Sequence, residues 1–256
     1  MARLDGRIAL VSGGAGVLGQ AICARLAADG ARVAVADIDE AKGRALASSL
    51  GANGLFVALD VTSEDAWRAA METVTKTWGP PDILVNNAGY LKPANIEQAT
   101  LADWRKTMQI NGDGTFLGCK FAVAAMKARP KSASSGVIIN LSSAMGIRGR
   151  APHPAYTASK AAIRLLTQSV AKHCAAEGYN IRAVAVMPGA IDSDMLRLNI
   201  PAGSTKDDYY AQVSGLNLVG RVGKPADVAN AIAFLASDEA GFISGTDFPV
   251  DGGSTV

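Results

Sequence analysis

Short runs of β-branched and aliphatic residues alternate with longer stretches of helical periodicity, and this alternation limits the fold more than any other feature of the chain. The runs are Ile8 to Val11, Arg32 to Ala36, Leu55 to Leu59, Ile83 to Val85, Val137 to Leu141 and Arg182 to Val186. Each suits a strand and is too short for a helix. Repeated strand–helix–strand units with right-handed crossovers lay their strands parallel, with helices on both faces. The expected fold class is therefore α/β with a doubly wound parallel sheet. Gly30, Pro80 with Pro81, and Pro130 read as helix stops. No linker and no internal repeat divides the 256 residues, so a single domain over 1–256 is expected. The apolar share, 49%, supplies the core that such a sheet needs.

Charge and rare residues exclude several classes of function. Lys and Arg number 25 against 23 Asp and Glu, a balance of +2, with no basic stripe to track a phosphate backbone, so nucleic acid is not an expected partner. Met1 to Arg7 leads into an apolar run too brief for a secretory segment, and no run reaches membrane-spanning length. A cytoplasmic protein with no membrane partner is expected. Cys23, Cys119 and Cys174 are odd in number and far apart, which suits reduced core residues rather than a disulfide framework. With His153 and His173 the only histidines and no cluster at ligand spacing, no metal site is expected.

The first strand runs into Ser12-Gly13-Gly14-Ala15-Gly16-Val17-Leu18-Gly19 and then a helical pattern. Glycines there let the backbone turn tightly and approach a pyrophosphate, which free N–H groups at a helix N-terminus can hold. Such a turn also serves as a plain strand-to-helix connection. Asp37 favours the ligand reading, because it ends the second strand, where a carboxylate can accept both hydroxyls of an adenosine ribose. Its charge would repel a 2′-phosphate, and neither Gly16 nor Ile38 is the basic residue such a phosphate would need. A Rossmann-type site for NAD, in preference to NADP, is expected.

Tyr156 and Lys160 stand at i and i+4 in a helical segment and so project from one face. A free phenol titrates near about 10, and bringing it towards neutrality takes ~3 to 4 kcal/mol. An ammonium at ~4 Å in an effective dielectric of ~20 offers ~4 kcal/mol. The chain also carries Asn86-Asn87-Ala88-Gly89 after one strand, Asn111 in the long helix that begins near Leu101, Ser142-Ser143 after another strand, Pro188-Gly189 after a later one, and a closing Val250-Asp251-Gly252-Gly253. In this order the motifs resemble the single-domain branch of the short-chain dehydrogenase/reductase family, over nearly the whole chain. One departure lies in the glycine turn. That branch spaces its glycines G-x-x-x-G-x-G, whereas Gly13, Gly16 and Gly19 follow G-x-x-G-x-x-G and Val17 takes the middle position, where close backbone approach is expected.

The resemblance implies a role for each matching residue. Tyr156 would exchange a proton with the substrate oxygen, Ser143 would hold that oxygen (with Ser142 the fallback), and Lys160 would lower the tyrosine pKa and bind the nicotinamide ribose. Asn111 would anchor a water in a proton relay. Asp60 and Val61 would meet adenine, with Asn87, Ala88 and Gly89 beside the adenosine ribose. Pro188, Gly189, Ile191 and Ser193 would border the nicotinamide, Ile191 and Ser193 holding its carboxamide.

The implied reaction is hydride transfer between a coenzyme and a small alcohol or ketone. A lid over 190–215 offers Met195, Leu196, Leu198, Ile200, Tyr209 and Tyr210, and with Met145 suits a neutral, hydrophobic secondary alcohol or ketone. The stretch from Tyr156 to Pro188 looks most like members acting on hydroxysteroids and secondary alcohols. Two alternatives stay open. One is an NADPH-dependent 3-oxoacyl-thioester reductase, with Arg129, Lys131, Arg148 and Arg150 as a docking surface for an acidic carrier. The other is a coenzyme-binding protein without catalysis. His153, between two prolines, is expected to be a rigid loop residue, with a place at the substrate mouth as the other reading. The helical segment from Ala155 to Glu177 is apolar on more than one side, which predicts a subunit interface and, with the resemblance, a homotetramer.

Overall fold

Each inner strand is aliphatic at consecutive positions, and consecutive side chains of a strand point to opposite faces, so such a strand needs cover on both sides. The structure, a computed structural model, describes residues 3–130 and 133–256, and it supplies that cover. Its strands are β1 (Ile8–Ser12), β2 (Arg32–Asp37), β3 (Gly54–Ala58), β4 (Ile83–Asn86), β5 (Gly136–Leu141), β6 (Ile181–Pro188) and β7 (Thr246–Val250). They form one parallel sheet in the order β3-β2-β1-β4-β5-β6-β7. The helices are α1 (Val17–Ala28), α2 (Glu40–Ser49), α3 (Glu64–Trp78), α4 (Leu101–Met108), α5 (Gly114–Met126), α6 (Pro154–Ala176), α7 (Asp194–Arg197), α8 (Lys206–Gly215) and α9 (Pro225–Ala236).

The two-sided pattern resolves into two cores. Val11, Val85 and Ile139 join Ile22 and Leu26 of α1 and Val228 and Ile232 of α9 on one face. Their neighbours Leu10, Leu84 and Ile138 join Trp67 and Met71 of α3, Leu117 and Met126 of α5 and Cys174 of α6 on the other. All six runs read from the sequence are strands. The seventh strand was not read, because Thr246, Asp247 and Pro249 lack the aliphatic run, and proline and half-exposed positions are tolerated only at a sheet edge, where β7 lies.

Two helices depart from their sequence pattern. The pattern that begins at Leu101 is not one helix, because a wider π turn over Gln109–Asp113 separates α4 from α5 and carries Asn111. The segment expected from Ala155 begins one residue earlier, with Pro154 in the first turn, where its missing N–H costs nothing.

Strand order reverses at β1, between β2 and β4, which opens a crevice at the C-terminal ends of those strands. The opposite edge of the sheet is closed by buried charge. Asp82, just before β4, accepts the Ile8 N–H at 2.6 Å and faces the guanidiniums of Arg7 and Arg129. Among the described residues no helix is long and apolar enough to cross a membrane.

Candidate active site

The glycine turn after β1 is shaped by contacts that leave no room for side chains. Gly13 has φ +63°, and a Cβ there would lie 2.7 Å from the Ala88 Cα. A Cβ on Gly19 would sit on the Gly13 carbonyl oxygen, so the turn folds flat against the start of α1. Gly16 is under no such pressure, and Val17, at the first position of α1, is partly exposed along the crevice rather than across it. Asn87 ties it to β4, donating to the carbonyls of Ser12 at 3.0 Å and Gly13 at 2.8 Å.

Asp37 is set in place by two backbone donors, Ala15 N–H and Asp39 N–H, each at 2.9 Å. From Asp37 a continuous cleft of about 1360 Å³ runs past the turn to Tyr156. Gly13, Gly16, Val17, Leu18, Gly19, Ile38, Asp60, Val61, Asn87, Ala88, Gly89, Pro188, Gly189, Ile191 and Ser193 all line it. A cleft of this length, with glycines at a helix N-terminus and a carboxylate at the second strand, fits a dinucleotide. Asp60 is oriented by Thr62, and the Ser193 hydroxyl accepts the Leu196 N–H as the cap of α7.

The far end of the cleft gathers the proton-handling side chains. Ser143 follows β5, while Tyr156 and Lys160 project from the first turns of α6. The Ser143 hydroxyl accepts the Met145 N–H at 3.1 Å and acts on the Tyr156 phenol by lowering its pKa. Ser142 is committed elsewhere, donating to the Lys160 carbonyl at 2.7 Å. The Lys160 ammonium donates to the Leu141 carbonyl at 2.6 Å and lies 5.5 Å from the centre of the Tyr156 ring. Asn111 is behind this wall rather than on it. It is fully buried, exchanges hydrogen bonds with the Tyr90 backbone, and donates to Ser159, which in turn donates to the Tyr156 carbonyl. Ser159 went unread in the sequence, although its place beside Lys160 was a usable signal.

Burial governs the titration of both groups. It pushes the Tyr156 phenol up from 10.0 to about 12, against the smaller opposing effect of the Ser143 hydrogen bond. It pulls Lys160 down from 10.5 to about 8. The sequence suggested that the ammonium would supply much of the acidification, with an oxidised nicotinamide adding more positive charge. In the structure desolvation is the largest influence on the phenol, so the protein alone does not bring it towards neutrality.

The lid over 190–215 consists of α7, α8 and their connection. Met195, Leu196 and Tyr209 line the cleft, together with Met145, Val213 and Leu216. Leu198, Ile200 and Tyr210, expected with them, do not line it. The four residues of α7 turn only one face inward, and Tyr210 sends its hydroxyl to Asp192 at 2.7 Å. Polar residues also line the substrate half: Arg150, His153, Asn199 and Gln212. Of the residues expected to form a basic docking surface, Arg148 and Arg150 both line the cleft and Arg129 does not. Arg129 pairs with Asp82 at the opposite edge of the sheet, Arg148 donates to the carbonyls of Ser254, Thr255 and Val256, and Lys131 lies outside the described residues.

Comparison with known proteins agrees with this layout. Residues 13–255 match the family described as "Enoyl-(Acyl carrier protein) reductase". The chain is 38% identical to a 3-beta-hydroxysteroid dehydrogenase of Comamonas testosteroni, over 97% of this chain and 96% of that one. It is 37% identical to a trans-4-hydroxycyclohexanecarboxylate dehydrogenase of Sinomonas cyclohexanicum, over 99% and 95%. A crystal structure of a 3-ketoacyl-(acyl-carrier-protein) reductase from Brucella melitensis, complexed with NADH, superposes with a TM-score of 0.90 at 30% identity, covering 99% of this chain and 100% of that chain. With the parallel sheet, the glycine turn and this breadth of likeness, the chain belongs to the short-chain dehydrogenase/reductase family.

Proposed function

We propose that this chain is an NAD(H)-dependent dehydrogenase that interconverts a hydrophobic secondary alcohol, cyclic or steroid-like, and its ketone. The observation that carries the reading is the meeting of Ser143, Tyr156 and Lys160 at one end of a cleft whose other end holds Asp37. The hydroxysteroid and trans-4-hydroxycyclohexanecarboxylate dehydrogenases among the relatives support the secondary-alcohol class. The bound coenzyme supplies or accepts the hydride and, when oxidised, brings a positive charge to the cleft. Asp37, already oriented by two N–H groups, accepts the adenosine ribose hydroxyls and disfavours a 2′-phosphate, which favours NAD over NADP.

Tyr156 exchanges the proton with the substrate oxygen, which Ser143 holds. Lys160 binds the nicotinamide ribose, and its charge is available to stabilise the phenolate once cations outweigh burial. Asn111, beneath Gly89 and beside Lys160, continues the proton path. Residues 190–215 act as a lid, and one domain over 1–256 carries every part of the site. A homotetramer is proposed from the apolar residues that α5 and α6 leave uncovered, Phe116 at 52% and Leu165 at 66% exposure. Three buried, unpaired cysteines suit a cytoplasmic setting.

A 3-oxoacyl-thioester reductase remains the second reading, supported by the Brucella structure. Arg129, one of its expected docking residues, pairs with Asp82 away from the cleft, and the named alcohol dehydrogenases among the relatives support the alcohol reading more directly. Tyr156→Phe tests the mechanism. Turnover with NAD and a panel of secondary alcohols is expected to fall by about 10²- to 10⁴-fold while the NADH Kd stays near that of the unmodified chain. Retained turnover removes Tyr156 from the reaction.

A further inference from the structure

His153 caps the start of α6, one turn before Tyr156, and is only 5% exposed, yet neither ring nitrogen has a hydrogen-bond partner. Asn199, in the lid after α7, donates its amide N–H to the Met195 carbonyl at 2.9 Å, and its Oδ1 is likewise buried and unpaired. Both side chains line the cleft that contains Tyr156, and they are close enough for the amide to influence the imidazole. Buried polar atoms ordinarily find partners. Elsewhere beside the cleft they do, as at Asn111, whose Oδ1 accepts the Tyr90 N–H at 2.7 Å and whose amide donates to the Tyr90 carbonyl and the Ser159 hydroxyl, each at 2.9 Å. Unpaired atoms gathered at the substrate end of a cleft point instead to a ligand.

The donor and acceptor inventory says which ligand. Burial keeps the imidazole neutral, with one N–H donor and one bare nitrogen. When the N–H faces Asn199 Oδ1, what remains is a bare ring nitrogen, an acceptor that needs a donor. A ketone or carboxylate oxygen cannot donate. An ammonium could, but the nearby Arg150 charge opposes a second cation. A hydroxyl donates, and so satisfies the remaining ring nitrogen. We infer that His153 and Asn199 form a second hydrogen-bonding subsite, which takes a substrate hydroxyl other than the one that reacts at Tyr156. The preferred substrates are then diols or hydroxyketones rather than simple alcohols, an inference that rests on the alcohol-dehydrogenase reading. Because Asn199 belongs to the lid, lid opening admits this hydroxyl and closure buries it, in a dry site where an unmatched partner is rejected most strongly.

The test compares cyclohexanol with cyclohexane-1,2-, -1,3- and -1,4-diol as substrates with NAD, for the unmodified chain, His153→Leu, His153→Gln and Asn199→Leu. The best diol is expected to exceed cyclohexanol in kcat/KM by about 10-fold or more. That ratio should fall towards one in His153→Leu and Asn199→Leu, chiefly through KM, and recover in part in His153→Gln, whose amide also donates and accepts. The His153 side chain caps no helix N–H, so His153→Leu is expected to melt no lower than the parent. A ratio near one in the unmodified chain, or a ratio that His153→Leu leaves unchanged, overturns the subsite. If none of the four alcohols is oxidised, the dehydrogenase reading fails separately. Calorimetric titration of the NADH complex with the same compounds then decides: diol binding abolished by His153→Leu supports the subsite, and diol binding that is absent or unaltered overturns it.

Discussion

Lys160 shows at the scale of one side chain what burial does to a charge. Its pKa falls from 10.5 to about 8, so between those values the unfolded chain holds a proton that the folded one has released. Folding stability therefore climbs with pH across that window, and below pH 8 the whole cost of burying an ammonium applies. Replacing Lys160 with Met removes this contribution. The stability of Lys160→Met relative to the parent, from urea melts without coenzyme, is expected to be on the order of 3 kcal/mol more favourable at pH 7 than at pH 10.5. A gap that does not change with pH refutes the assignment. Tyr156, Cys23 and Cys119 act in the opposite sense. Their acids are pushed up to about 12, and stability is lost as pH rises towards that value. A second residue sets coenzyme choice. Asp37→Ala is expected to lower kcat/KM with NAD and raise the NADP to NAD ratio, since it removes both a ribose acceptor and a charge that repels a 2′-phosphate. An unchanged ratio shows that selection lies elsewhere.

At the scale of elements, α6 has two duties. One face, with Tyr156, Lys160, Ile163, Thr167, Ala171 and Cys174, is buried against the sheet and the cleft. Leu165 lies exposed on another side, and Phe116 of α5 is exposed beside the groove that α5 and α6 share. A partner helix pair would cover both. The double variant Phe116→Asp with Leu165→Glu is expected to sediment as a smaller species than the parent, because each new carboxylate would have to be desolvated in the interface. An unchanged sedimentation coefficient moves the interface to another surface. The π turn at Gln109–Asp113 is the other element with a functional consequence, since it carries Asn111 to the Tyr90 backbone. Helical periodicity over 101–126 gave no warning of it, because one extra residue in a turn changes backbone pairing without changing composition.

Across the whole molecule the two ends of the sheet divide the work. The C-terminal ends of the strands open into the cleft, while the N-terminal edge is held by Arg7, Asp82 and Arg129, each largely buried. Truncating Asp82 leaves the Ile8 N–H without its acceptor and two buried guanidiniums without the carboxylate they share, although Arg7 still donates to the Ser135 carbonyl and Arg129 to the Ser134 carbonyl. Asp82→Ala is expected to cost about 3–5 kcal/mol in denaturant unfolding, with the NADH Kd little changed in protein that remains folded. A loss below about 1 kcal/mol, the scale of a surface pair, means that the network is not needed to hold this edge.

The positions of the inner strands, the glycine turn, Asp37 and the Tyr156–Lys160 spacing were all legible in the sequence, because each depends on local periodicity or on residues a few positions apart. The edge strand β7 was not, since it lacks an aliphatic run and pairs only through its neighbour β6. Tertiary structure alone decided that Ser142 serves the Lys160 carbonyl, that Arg129 and Arg148 lie at opposite edges of the sheet, and that His153 and Asn199 line the same cleft. It also decided that burial, rather than the neighbouring ammonium, sets the phenol pKa. These outcomes depend on which distant segments the sheet brings together and how much water they exclude, quantities that no local pattern carries.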